Sequence, residues 1–486
     1  MMKLEDMSRL TLSTTLMGRV IEVNPEAAAF HIRCHSGADF TVLVGKETQF
    51  QFLQNLDHVN RDRYPIPEGY DGSPALKVQR YIHLEHFVIL QGIYQQEREK
   101  RCFDARVIHL VQAHDGTFLF ENNTWWLTQI ARLADTWLGY LFSNKQSYEI
   151  DDFQLYQTNL NVLGLPSLDN IQECATLSRL IYGLSSAYLL TGCERYLSAA
   201  RAGVEYQRET FRWLSHDGKH CVWLFGKRKT DYSYVLYMRS LNDDDRDTIP
   251  LYEQIYALAG LAQYYRITLD WEVLEDIKRT LAFFNDFFCD PDSEYGSEAF
   301  GDYFSHLDYV TMTWDSPALE HNQARKNWNS IGDHIPAYLI NVLLAIEPLP
   351  IHAHHSYEEL HTFRSICRKI LRTSSEIILR KFPDPDPNVP FVNERFFRNW
   401  KPDHTWRWQQ DRAVIGHNLK IAWNLTRVAN YYYSIAKSTH DRQEAMESIE
   451  FADDLMKFAD RLGSSMGKVG VDLYRGGIFD AVERHP

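Results

Sequence analysis

The sequence predicts a mainly α protein whose helices come as antiparallel hairpins, preceded by a small all-β domain. Two observations predict it. Over residues 1–112 apolar and polar residues alternate, the period of a half-buried strand; from about residue 125 the period turns helical and stays so. The helical stretches also arrive in pairs joined by short connections, a recurrence that builds solenoids or closed α/α toroids.

Five strands are expected first: Met17–Asn24, Ala29–Cys34, Asp39–Val44, Phe87–Tyr94 and Cys102–Leu110. A short helix is expected after Gly45. Asn60–Pro74, with Pro65, Pro67, Gly69, Gly72 and Pro74, reads as loop. Five short strands in this length suggest an OB-like barrel. Such barrels hold single-stranded nucleic acid in a basic groove. Residues 1–112 carry 13 Lys+Arg against 14 Asp+Glu, so no such groove exists on average. Nucleic acid is therefore disfavoured as a partner, and a packing or oligomer-forming accessory domain is the expectation for 1–112.

Residues 113–486 form the second expected domain. Trp125–Phe142 is its first helix. Four pairs follow: Glu173–Leu190 with Glu194–Trp213, Leu251–Arg266 with Trp271–Phe288, Asn329–Ile346 with Ser356–Arg380, and Ala413–Tyr433 with Arg442–Leu462. Asp290–Gly296 with Gly301–Phe304, and Tyr474–Asp480, read as short hairpins where glycine allows a tight turn.

The chain is 44% hydrophobic, 24% charged and 13% aromatic, with a net charge of -14. Those aromatics fit a large core and equally fit sugar-stacking pockets. A chain this acidic does not suit an anionic membrane surface or a nucleic-acid backbone. Seven cysteines without a CxxC give neither a disulfide framework nor a zinc ribbon. The N-terminal residues lack a signal peptide's apolar run, and no stretch reaches the ~18 apolar residues of a membrane span. Cytoplasmic residence and no membrane contact are the expectations.

Five motifs then stand in order. They are Ser178-Arg179 followed by Gly192–Ala200; Leu251–Arg266; Asn329-Ser-Ile-Gly-Asp333-His334; Gly416-His417-Asn-Leu-Lys420-Ile-Ala-Trp423; and Gly476-Gly477-Ile-Phe479. In that order and spacing the helical region resembles the N-acylglucosamine 2-epimerase superfamily, which includes cellobiose 2-epimerases and mannose isomerases. The resemblance implies an (α/α)6 barrel with the sugar site at one end. It implies a sugar 2-epimerase or aldose–ketose isomerase that removes the proton beside the carbonyl through an enediolate, with a small-molecule sugar as partner and no metal or other cofactor. His417 is the candidate base, because histidine titrates near working pH. Arg179 is the candidate clamp for the enediolate oxygen, because arginine stays charged and offers forked donors. Asn329, Asp333 and His334 are candidates for sugar contacts or ring opening. A structural reading stays open for each: helix start for His417, a carboxylate partner for Arg179, an interior hydrogen-bonding pair for Asp333 and His334.

Two departures from the family pattern are visible. Relatives place a glutamate where this chain has Lys420, so either the ammonium acts on His417, or Lys420 points away and another carboxylate serves, with Glu394 and Asp411 nearby in sequence. About nine of twelve barrel helices can be placed, so the expected fold is an incomplete (α/α)6 barrel lacking its last three helices. Open helix faces would then be covered by a homo-oligomer contact or a completing partner chain.

Other signals carry less. His352, His354 and His355 precede Ser356 and Glu359, which have capping-box spacing, so a loop entering a helix outweighs a metal site. Asn242–Asp247 reads as a solvated acidic loop, and Pro383–Pro390 as a stiff connector. Trp408, in the tract leading to His417, could line a sugar site or pack in a loop.

Overall fold

The computed structural model describes residues 9–53, 64–97, 100–118, 124–143, 145–154, 156–167, 169–231, 233–296, 300–349, 355–405, 412–472 and 477–484. The chain divides into two compact units, residues 1–133 with 470–479 and residues 134–469 with 480–486.

The first unit is built on a closed barrel of β1 (Arg9–Asn24), β2 (Ala29–Cys34), β3 (Asp39–Phe52), β4 (Phe87–Glu97) and β5 (Lys100–Leu110), in the spatial order β1-β2-β3-β5-β4. All neighbours are antiparallel except β3 and β5. Alternate residues of every strand, among them Val20, Phe30, Val42, Leu90 and Phe103, fill the interior. The helix expected after Gly45 is absent: β3 runs on to Phe52 through an irregularity between Val44 and Gln49. Thr48 makes this possible. Its hydroxyl accepts from the Gly45 amide (2.8 Å) and donates to the Ala105 carbonyl (2.6 Å), satisfying the groups a bulge leaves unpaired. The helix of this region is α1 (Pro74–Tyr81), with Pro74 in its first turn.

Helix α2 (Trp125–Phe142) is the first of the helical region. Short α3 (Ile150–Phe153) follows. The pairs are α4 (Cys174–Thr191) with α5 (Glu194–Phe211), α6 (Leu251–Thr268) with α7 (Trp271–Phe283), α8 (Ile335–Ile346) with α9 (Tyr357–Lys381), and α10 (Ile415–Ser438) with α11 (Arg442–Val469). Each pair packs on itself, and α4, α6, α8 and α10 lie side by side in that order. The fold is thus mainly α, with helical hairpins following a small all-β barrel. Helix α6 is buried on most sides, as the middle of such a row requires. Ser356 and Glu359 form the capping box of α9. Among the described residues no helix is long and apolar enough to cross a membrane.

Candidate active site

Three local devices bring distant residues to the same end of the helical row. The first sets Arg179. Helices α4 and α6 approach so closely at Gly260 that an added Cβ would stand 2.5 Å from the Ser178 carbonyl oxygen. Ser178 stitches the contact, donating to the Ala257 carbonyl (3.0 Å) and accepting from the Gly260 amide (2.9 Å). Arg179, the next residue, therefore lies over Tyr256 of α6, its guanidinium carbon 4.8 Å from the ring centroid. It is exposed, and its side chain donates to the Thr176 hydroxyl (3.3 Å). Among the described residues no carboxylate pairs with it.

The second device is a widened helical turn, Trp328–His334, which opens the segment expected as one helix from Asn329 to Ile346. His334 is 4% exposed and surrounded by Tyr252, Tyr256 and Tyr338, with the Tyr256 ring edge-on at 4.1 Å. Its Nδ1 bonds the Asn329 carbonyl, which can only accept, so Nδ1 carries the hydrogen. Asn329 thus serves His334 through its backbone. The His334 Nε2 has no hydrogen-bond partner among the described residues. Burial pushes this imidazole below its ordinary value; Asp333 opposes that, and Lys420 and Arg179 add to it. Asp333 accepts from the Asn424 amide (3.3 Å) and lies 3.6 Å from the Lys420 ammonium.

The third device sets His417. Strand residues Arg325–Asn327 pair with Arg395–Phe397, and the Trp328 amide donates to the Glu394 carbonyl (2.7 Å). A second short pairing, Arg412–Val414 with Ala481–Glu483, leads directly into α10. The two together put His417 in the first turn of α10, face to face with the Trp328 indole (3.8 Å between centroids, 20° between planes). Its Nδ1 lies 3.0 Å from Glu394 Oε2. Glu394 is 2% exposed, so the carboxylate that orients His417 comes from another segment and not from one turn along the helix. Lys420, in the position relatives give to glutamate, turns to Asp333. With Nδ1 donating, Nε2 is the lone-pair nitrogen of each neutral ring.

The Trp328–His334 turn therefore links both histidines: one lies on its first residue, the other is its last. Trp328 Nε1, His334 Nε2 and Asn424 Oδ1 are buried there without hydrogen-bond partners among the described residues, as expected of a surface that meets a polar ligand. Trp408 and Asp411 lie outside the described residues, as do His352 and His354. His355 bonds Glu275 (2.7 Å). Among the described residues no cluster of three metal-ligating side chains occurs.

Sequence reading missed a buried polar group beside the site. The acidic run expected as a solvated loop sends Asp245 inward, where Oδ1 meets His306 Nε2 (2.7 Å) and Oδ2 accepts from Tyr252 (2.9 Å). Glu253, next along α6, accepts from Ser240 (2.9 Å) and Asn242 (3.0 Å). Burial first, and Asp245 second, push its carboxyl up to about 8. A polar residue at an apolar position of the α6 period was the one available signal.

No protein-family model and no curated protein matches the sequence. Solved structures do match. A sugar epimerase from a ruminal bacterium is 14% identical, with 74% of this chain and 76% of that one covered and a TM-score of 0.49. The cellobiose 2-epimerase of Bacillus thermoamylovorans B4167 is 15% identical over 74% and 91%, with a TM-score of 0.43. A D-mannose isomerase is 15% identical over 74% of each chain, with a TM-score of 0.44. The solved structures to which this chain is similar thus include sugar epimerases and a sugar isomerase.

Proposed function

We propose that the chain is a carbohydrate isomerase, a sugar 2-epimerase or aldose–ketose isomerase acting through an enediolate. The observation that carries this reading is the pair of histidines, each fixed through Nδ1 so that Nε2 is the basic nitrogen. The C–H beside a sugar carbonyl is a weak acid, and removing its proton needs a base held in place and a cation on the oxygen that gains charge. His417 Nε2 takes the C2 proton, and the electron pair moves into the C1–C2 bond while Arg179 stabilises the charge gathering on the carbonyl oxygen. Reprotonation at C1, with the 2-hydroxyl proton passing to the C1 oxygen so that C2 becomes the carbonyl, gives the ketose, and reprotonation of the opposite face of C2 gives the epimer. His334 is the group available for that second transfer. Tyr256 holds Arg179 and His334 to one another through its ring.

The test is incubation of mannose, N-acylmannosamine and cellobiose with the protein in deuterated water, followed by NMR at C2. Deuterium should enter C2 of at least one sugar, and His417→Asn should slow its entry by roughly 10²- to 10⁴-fold, the usual worth of a positioned base. A folded protein that labels none of them would count against catalysis and favour carbohydrate binding as the role.

A further inference from the structure

The exposed face of α10 beyond the base carries an arrangement that proton transfer does not explain. Trp423 is 49% exposed. The Lys420 ammonium stands 4.6 Å from its ring centroid and the Arg427 guanidinium carbon 4.7 Å. Two cations on one indole repel one another, and their compensation is thin. Among the described residues Lys420 meets a single carboxylate, Asp333, which already accepts from Asn424. Arg427 donates only to neutral oxygens, the Ala337 carbonyl (2.9 Å) and the Asn341 side chain (2.8 Å). Among the described residues no carboxylate pairs with it, although burial pushes its pKa down. Arg179 adds a third cation to the same end. In a chain of net charge -14 such a concentration of positive charge runs against the composition.

We infer that the Lys420–Trp423–Arg427 stripe binds an anionic group of the substrate: the sugar carries a carboxylate, sulfonate or phosphate at the end remote from its carbonyl. This rests on the isomerase reading above. Helical rise puts Lys420 about 4.5 Å and Arg427 about 15 Å along α10 from His417. Both cationic head groups nevertheless lie on the one Trp423 ring, so an anion that reaches Lys420, one turn from His417, comes within range of Arg427 as well. Arginine and lysine side chains match an oxyanion in charge and hydrogen-bond geometry.

The full-length chain is tested on matched probes, mannose against mannose 6-phosphate and glucose against glucuronate. Binding is read by calorimetry and turnover by C2 deuterium exchange, each at low and high salt. The charged member of a pair should bind and exchange at least about tenfold better, an advantage that added salt reduces. Arg427→Gln and Lys420→Gln should each remove most of it; the lysine variant keeps the test open if the arginine variant does not fold. Equal treatment of charged and neutral members overturns the anion site and leaves the isomerase reading intact. Charged sugars that bind through the stripe but never exchange overturn the isomerase reading and leave the anion site. No binding by either charged sugar overturns the inference.

Discussion

Burial holds His334 below the ordinary imidazole value, with Asp333 pulling the other way and Lys420 and Arg179 reinforcing it. The sign of that displacement sets a pH expectation. A base must be neutral, so turnover falls as pH drops through its pKa in the free enzyme. In the proposed reaction His334 is the base in the reverse direction, when the product epimer is the substrate, and for that epimer the acid limb of kcat/KM should fall below pH 6.5, the unperturbed value of the group. Removing the carboxylate with Asp333→Asn should move that limb lower still, because it deletes the one charge that favours the imidazolium. A limb that stays in place in the variant would remove His334 from the chemistry. Much of this site was legible at the level of single residues: Arg179, Asp333, His334, Lys420 and His417 all come to one end of the helical row. The carboxylate partner of His417 was legible only as one of two alternatives, Glu394 and Asp411. Glu394 is 23 residues from it in sequence and reaches it only because two short strand pairings fold the connection back. Periodicity carries no information about such a contact.

Elements were legible for the opposite reason. Helix ends follow from local pattern and caps, so α2, α4, α6 and α9 lie within a residue or two of expectation. The failures are where a side chain or a turn overrides the pattern. Thr48 carries β3 through a bulge that reads as a helix start, and the wide turn at Trp328–His334 interrupts a segment that reads as regular. That turn also yields a prediction. A Cβ added at Gly332 would stand 2.6 Å from the Phe382 ring and 2.9 Å from the Trp328 ring. Phe382 is fully buried, so Trp328, whose indole lies against His417, must give way. Gly332→Ala should cost about 1–3 kcal/mol by urea denaturation, the usual penalty of overpacking. It should also lower kcat for C2 exchange more than substrate affinity, because it displaces the base. Loss of stability with unchanged kcat would show that the turn supports only the fold.

At the scale of the whole molecule, one buried acid should be visible in the stability profile. Glu253 titrates near 8 in the folded chain and near its ordinary 4.5 when unfolded. Below pH 4.5 it is protonated in both states and imposes no cost. Between 4.5 and 8 folding must take up a proton, so stability falls as pH rises, by up to about 1.4 kcal/mol per unit for this one group. Above 8 the full cost remains. Glu253→Gln keeps the hydrogen-bonding shape without the charge. Thermal melts across pH should therefore show the variant gaining on the parent from pH 5 to 8 and holding a constant margin above. Carboxylates such as Asp403 work in the other direction. Burial would raise Asp403, but Thr405, Arg325 and Arg395 bring it down to about 2, so its contribution is lost only in strong acid. The difference between parent and variant isolates Glu253 from that background.

The Trp328 indole beneath His417 has a spectroscopic consequence. A ring lying face-on at 3.8 Å shields the nuclei above it, so the carbon-bound protons of His417 should resonate well upfield of the other histidines. The chain has 20 histidines, and this displacement should single one out. Its assignment is checked by the loss of that resonance in His417→Asn and its downfield return in Trp328→Leu. The protonation state of the proposed base would then be readable directly during a titration, with no substrate present.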